Sequence, residues 1–258
     1  MSQRSIKRIA LITMIIDHIG GFIPGMPIWF HYIGRISAPL FFFCCAWGFE
    51  HTRSKERFIL RLYLAGIVMG LGNLAVYYLC GSPRSADPPE NGIFTTLFLG
   101  ALLCYLWEKK KYGFLILSVI YQIAFMLIVI YAPFIIPWKF EQMVICIFAP
   151  ILYVEGGIIF VMLFCALYLF KDCPILLADV MLTCSFVVYK GTHRAWNTPI
   201  MRFDVFNFWD FGYLMVFALV IMLLYNGKKG KGSKYFYYIF YPAHVWILFA
   251  IGQFLTKR

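Results

Sequence analysis

The stretch Ile9-Ala10-Leu11-Ile12-Thr13-Met14-Ile15-Ile16-Asp17-His18-Ile19-Gly20-Gly21-Phe22-Ile23 sets an aspartate beside a histidine inside an otherwise apolar run. A run of this kind suits a membrane helix. With a start near Ile9 and about 1.5 Å of rise per residue, the pair lies roughly 12 Å inside a hydrocarbon layer about 30 Å thick. An aspartate at the centre of such a helix costs about 2.5 to 3.5 kcal/mol to insert, which makes it a functional candidate facing the protein interior. Histidine, with an unperturbed pKa of about 6.5, suits general-base work, and a neighbouring carboxylate favours its protonated form. The alternative is a polar pair that serves helix packing alone.

Working outward, the 258-residue chain is 62% hydrophobic, 20% aromatic and only 14% charged, against about 25% charged in soluble domains. Its apolar runs are continuous and do not alternate with polar positions, which excludes a β-barrel and leaves helices. The fold class is therefore an all-α polytopic membrane protein. The net charge of +11 comes from basic residues scattered through short links, a pattern that sets membrane orientation and does not form a nucleic-acid surface. Eight cysteines, Cys44 and Cys45 adjacent and no CxxC pair, fall mostly in apolar runs and read as packing thiols, with no metal site.

Span one covers residues 6–23 and follows Arg4, Lys7 and Arg8. No small-residue cleavage site follows it, so it is retained, and its basic flank places the amino terminus in the cytoplasm. The link 24–32 has no Lys or Arg and lies outside. Span two, 33–49, carries Arg35 at its outer end and Pro39 within the helix, where a kink is expected. Arg53, Lys55 and Arg57 make the next link basic and cytoplasmic, continuing into Arg61 at the start of span three, which ends near residue 80. The turn-rich 81–92 is an outer loop, span four is 93–107 and span five 114–131. Residues 143–153 are too short to cross, contain Pro150 and end at Glu155-Gly156-Gly157, which predicts a re-entrant or interfacial segment. Counting them as a tenth span would put the lysine-rich link 226–234 outside, against the positive-inside bias. Spans six to nine are 157–170, 175–189, 211–225 and 235–255. The polar and aromatic stretch 190–210, with His193, Arg194, Arg202, Asp204 and Asp210, is an outer loop suited to meeting an acceptor. About nine spans result, in a single domain over 1–258.

Asp17-His18-Ile19-Gly20, then Gly34-Arg35-Ile36-Ser37-Ala38-Pro39-Leu40-Phe41 leading to Gly48-Phe49-Glu50-His51-Thr52-Arg53, resemble the TraX family. Asn91-Gly92-Ile93-Phe94-Thr95-Thr96-Leu97 is similar to that family's fourth helix, and Phe240-Tyr241-Pro242-Ala243-His244 to its last. The resemblance covers most of the chain. TraX proteins are associated with amino-terminal acetylation of pilin and resemble a wider group of membrane acyltransferases that includes the heparan glucosaminide acetyltransferases. The resemblance implies an enzyme of the bacterial cytoplasmic membrane, with acetyl-CoA as cytoplasmic donor and an extracytoplasmic amine or hydroxyl, on a peptide or glycan, as acceptor.

Acyl transfer from a thioester needs a base for the acceptor's proton or a nucleophile to hold the acyl group, and His18 oriented by Asp17 fits either role, the base more readily. Arg35 is a candidate to pair with Asp17 or polarise the carbonyl, and His244 to donate to the carbonyl oxygen. Among the cytoplasmic cations Arg53, Lys55, Arg57, Arg61, Lys109, Lys110 and Lys111, arginine forks suit the phosphates of CoA, and Arg57 and Arg61, one turn apart, suit them best. Topogenic charge is the competing account of these residues. Two other classes stay open: a proton-coupled transporter, which would also bury such a pair, and a non-catalytic membrane assembly factor, which should tolerate His18→Ala.

Overall fold

A computed structural model of the chain describes residues 1–80, 89, 92–131, 141–194, 211–230 and 235–256. Its regular elements are helices: α1 (Gln3–Phe22), α2 (Trp29–Gly34), α3 (Ser37–Glu50), α4 (Lys55–Leu79), α5 (Ile93–Glu108), α6 (Tyr112–Tyr131), α7 (Glu141–Phe148), α8 (Gly157–Phe170) and α9 (Pro174–Arg194), then a 3-10 helix (Gly212–Phe217) running into α10 (Ala218–Leu223), and α11 (Phe236–Thr256). Among the described residues, Trp29–Glu50, Lys55–Leu79 and Phe236–Thr256 are long and apolar enough to cross a membrane. The all-α membrane class stands on them. On α6, Phe114, Ile116, Leu117, Ile120 and Ile123 are each more than half exposed, a surface that is stable where the surrounding solvent is hydrocarbon.

Local chemistry sets the helix ends. Ser2 caps α1 by accepting from the Ser5 N–H at 3.2 Å, so the helix starts at Gln3, earlier than the apolar run. Ser54 caps α4 through the Arg57 N–H at 3.3 Å, with Glu56 in the first turn where the helix dipole favours an acid. Span two departs from its expected form. It begins at Trp29 and is broken at Arg35 and Ile36 into α2 and α3, because Pro39, third residue of α3, has no N–H to return to the Arg35 carbonyl and its ring crowds that group. The expected kink is thus a break one turn upstream. Span eight differs as well: instead of one helix over 211–225, six residues of 3-10 winding precede six of α-helix.

The re-entrant expectation for 143–153 meets α7, eight residues long and so only about 12 Å in rise. The non-helical backbone after it is satisfied by side chains of neighbouring helices, as backbone away from water must be. Tyr63 of α4 donates to the Ile147 carbonyl at 3.0 Å and Tyr121 of α6 to that of Phe148 at 2.6 Å. Gln122 clamps the turn from both sides, donating to the Ala149 carbonyl at 3.1 Å and accepting from the Ile151 N–H at 2.7 Å. Gly156, at φ +72°, takes the left-handed conformation that starts α8, and a Cβ there would overlap the Phe160 ring.

A core of Phe42, Phe43, Phe49, Phe164, Leu40 and Leu167 joins α3 to α8. The α1 and α11 helices run parallel: Lys7 sits over the Tyr237 ring at 5.4 Å, and at the other end a Cβ on Gly252 would overlap the Phe22 carbonyl. One end of the bundle gathers the amino terminus, with Gln3 N–H donating to the Lys228 carbonyl at 2.8 Å, and the α3–α4, α5–α6 and α8–α9 links. There Lys55 bonds Glu108 at 2.6 Å and the Tyr168 hydroxyl at 2.9 Å, while the Tyr168 hydroxyl lies 2.6 Å from Glu50. Links predicted to be cytoplasmic therefore share one end. Thiols introduced as Ser54→Cys and Lys229→Cys should accordingly show the same protection from an impermeant maleimide in intact cells, with Gly25→Cys labelled. Labelling at 229 but not at 54 would contradict this arrangement. Positions 81–88 and 195–210, the predicted outer loops, lie outside the described residues.

Candidate functional site

Asp17 and His18 occur near the end of α1 that is opposite the amino terminus, five and four residues from Phe22, about 6 to 8 Å along the axis. Both are buried. Being adjacent on a helix, they point in directions about 100° apart, and each takes its own partner. The Asp17 carboxylate accepts from His31 Nδ1 at 2.8 Å. His18 Nδ1 lies 2.7 Å from Nε2 of His244 on α11. The two imidazole planes are 8° apart with centres separated by 4.9 Å, the geometry of an in-plane N–H···N bond and not of face-to-face rings.

The hydrogen-bond chain fixes the tautomers. His244 Nδ1 lies 2.9 Å from the Phe240 carbonyl, which only accepts, so this nitrogen carries the proton. Nε2 of neutral His244 is then an acceptor and His18 Nδ1 donates to it. The lone pair of neutral His18 is consequently on its Nε2. Pro242, inside α11, contributes by lacking the N–H that would bond the Tyr238 carbonyl, which loosens the turn that carries His244.

His18 lines a cavity together with Asp17, Gly34, Arg35, Ser37, Glu155 and Tyr241. The space open to water centres is about 30 Å³, enough for on the order of two waters. Glu155, in the turn before α8, accepts through Oε2 from the Gly92 N–H at 2.8 Å and the Tyr241 hydroxyl at 3.3 Å, while its backbone carbonyl accepts from Thr96 at 2.7 Å. Helices α3, α5 and α8 all begin at this cavity, none with a side-chain cap from its own N-cap residue. Their positive dipole ends favour negative charge at this cavity. A cavity that combines a basic imidazole nitrogen, carboxylates and a guanidinium, away from bulk water, can move a proton and stabilise developing charge.

A family model described as TraX protein matches residues 2–252. The chain belongs to the TraX family. No curated protein and no solved structure matches this TraX chain, so the roles of its residues are argued from geometry. Of the residues predicted from the TraX sequence, Asp17, His18, Arg35 and His244 come together, with His244 bonded to His18 in place of facing the cavity as a donor. Arg53, Arg57 and Arg61 stand apart from them toward the amino-terminal end. Arg53 and Arg57 are exposed and face solvent. Arg61 lies against the Phe58 ring and reaches Tyr238 of α11, and its Nε is buried with no hydrogen-bond acceptor, which leaves room in its bonding for an anion. Lys55, by contrast, is committed to Glu108.

Sequence reasoning missed His31, Glu155 and Tyr241. His31 falls four residues before Arg35 in Phe30-His31-Tyr32-Ile33-Gly34-Arg35, the spacing of one helix face. Glu155 is the lone acid between Met143 and Phe170, a signal of the same kind as Asp17 that its glycine neighbours disguised as a turn. Of the outer loop 190–210, the side chains of His193 and Arg194 and all of 195–210 lie outside the described residues.

Proposed function

We propose that this TraX chain is a membrane-embedded acetyltransferase of about nine crossings, moving an acetyl group from cytoplasmic acetyl-CoA to an extracytoplasmic amine or hydroxyl. The observation that carries this reading is the chain Phe240 carbonyl, His244, His18, which sets the tautomer of an imidazole lining a cavity shared with Asp17 and Arg35. In the reaction the acceptor's nitrogen or oxygen bonds to the thioester carbonyl carbon as its proton passes to His18 Nε2. The C–S bond then breaks and the proton returns from His18 to the departing thiolate. His244 holds the tautomer that makes Nε2 the base, and the Asp17 charge stabilises the imidazolium. Arg35 and the Ser37 and Ala38 N–H groups that open α3 meet the negative charge on the carbonyl oxygen.

The donor's phosphates fit the amino-terminal end. Arg61 reaches Tyr238, six residues before His244 on α11, about 9 Å along the axis. An acyl group on a flexible arm spans that distance. The test uses purified protein in vesicles with labelled acetyl-CoA inside and, outside, a short peptide with a free amino terminus or glucosamine. Acetyl transfer is expected, and flux of an unmodified solute in its place would mark a transporter. Replacing both Arg57 and Arg61 by alanine should weaken acetyl-CoA binding at least about tenfold, since hydrogen bonds to charged groups contribute about 1.5 to 3 kcal/mol each. Unchanged affinity would return both residues to the setting of topology.

A further inference from the structure

The partner of Asp17 is a histidine from a different helix. His31 Nδ1 lies 2.8 Å from Asp17 Oδ1, and the side chains are 28% and 10% exposed respectively. Asp17 lines the cavity and His31 does not, so His31 meets the carboxylate from outside it. The contact is built closely. A Cβ on Gly34 would lie within 2.5 Å of Asp17 Oδ1. One on Gly20 would come within 2.8 Å of Phe30 Cβ and 3.4 Å of the His31 ring. Glycines on both helices thus bring α2 against α1 at the level of the site, and α2 itself is six residues long without a side-chain cap. Six residues with an exposed link before them contribute little burial of their own.

We propose that His31 is a positioning residue of the proposed acetyl transfer: by donating Nδ1–H to Asp17 it holds that carboxylate fixed beside His18, where it stabilises the imidazolium formed when the acceptor's proton is taken up. The inference rests on the acyl-transfer reading of the site. His31 does not enter the proton balance, which runs from acceptor to His18 Nε2 to the leaving thiolate. The ionisable and charged groups around the pair are His18 on α1, Arg35 after α2, Glu155 before α8, and Tyr241 and His244 on α11. Burying the carboxylate without its donor would leave it with a desolvated, poorly directed charge.

The vesicle assay tests this with His31→Ala and added imidazole. The expected result is a fall in kcat of about 10- to 100-fold, the size of one lost hydrogen bond to a charged group, with the KM for acetyl-CoA unchanged. Free imidazole at millimolar concentration should restore much of kcat, because His31 is partly exposed and a diffusing ring can donate to Asp17 without tethering α2. A His31→Gln variant, which keeps an N–H donor, should retain more activity than His31→Ala. In an Asp17→Asn background, His31→Ala should cost little more, since its effect passes through the lost charge. Loss of activity without imidazole rescue, in protein that still binds acetyl-CoA, would make His31 a pin between two helices and overturn the inference. Wild-type turnover by His31→Ala would overturn it too while leaving the acetyltransferase reading intact. No transfer by the wild-type protein would defeat both.

Discussion

His18→Ala is expected to lower acetyl transfer by about 10² to 10⁴, the usual cost of removing a general base, while acetyl-CoA still binds. The two effects separate because His18 faces the cavity near the far end of α1, whereas Arg57 and Arg61 lie toward the amino-terminal end. His244→Leu should also slow the reaction, by less, because His18 Nδ1 would lose its acceptor and the ring its fixed tautomer. Initial rates across acceptor concentrations would place the loss in kcat. Transfer at the wild-type rate by folded, donor-competent His18→Ala would mean the histidine pair serves packing, and the search for a base would move to Glu155.

Gly34→Ala should damage both activity and stability by a single methyl group. A Cβ at residue 34 would overlap the Asp17 side chain, with Oδ1 within 2.5 Å, and neither group can give way. Asp17 is held by His31 and buried, and Gly34 ends α2 immediately before the break at Arg35. Overpacking of this kind typically costs about 1 to 3 kcal/mol, and here the strain falls on the carboxylate and on Arg35 together. Activity should fall as far as in Asp17→Asn, accompanied by a lower melting temperature in detergent. Gly113→Ala is the control, since nothing lies within 4 Å of a Cβ there and its backbone is not in the left-handed region, so transfer should stay intact. Equal activity of Gly34→Ala and wild type would show that α2 tolerates displacement from α1.

Much of this arrangement was legible from residue order. Asp17 and His18 stand out because ionisable groups within apolar runs are expensive, and the same logic marks Arg35 and His244. The helix limits at Ile93 and near residue 175 follow from charge and turn residues. What the sequence concealed was pairing. Adjacency suggested that Asp17 serves His18, yet neighbours on a helix diverge, so that Asp17 took His31 and His18 took His244. These partners lie 14 and 226 residues away in the chain, and no local spacing encodes them. Pro39 signalled a disturbance in span two without saying that the break would fall at Arg35, because the affected carbonyl lies four residues upstream. The partial 3-10 winding of 212–217 has no evident marker in Gly212-Tyr213-Leu214-Met215-Val216-Phe217.

The parallel packing of α1 and α11 has a bearing on biosynthesis. Of the described helices, α1 is made first and carries His18, and α11 is made last and carries the ring that sets its tautomer. Until α11 inserts, α1 offers a nascent chain an imidazole without its acceptor and a cavity without the Tyr241 wall. A stalled or truncated product should therefore sit in the bilayer without acting on a reactive thioester. Formation of the proposed centre thereby waits on the arrival of α11 through the fold itself.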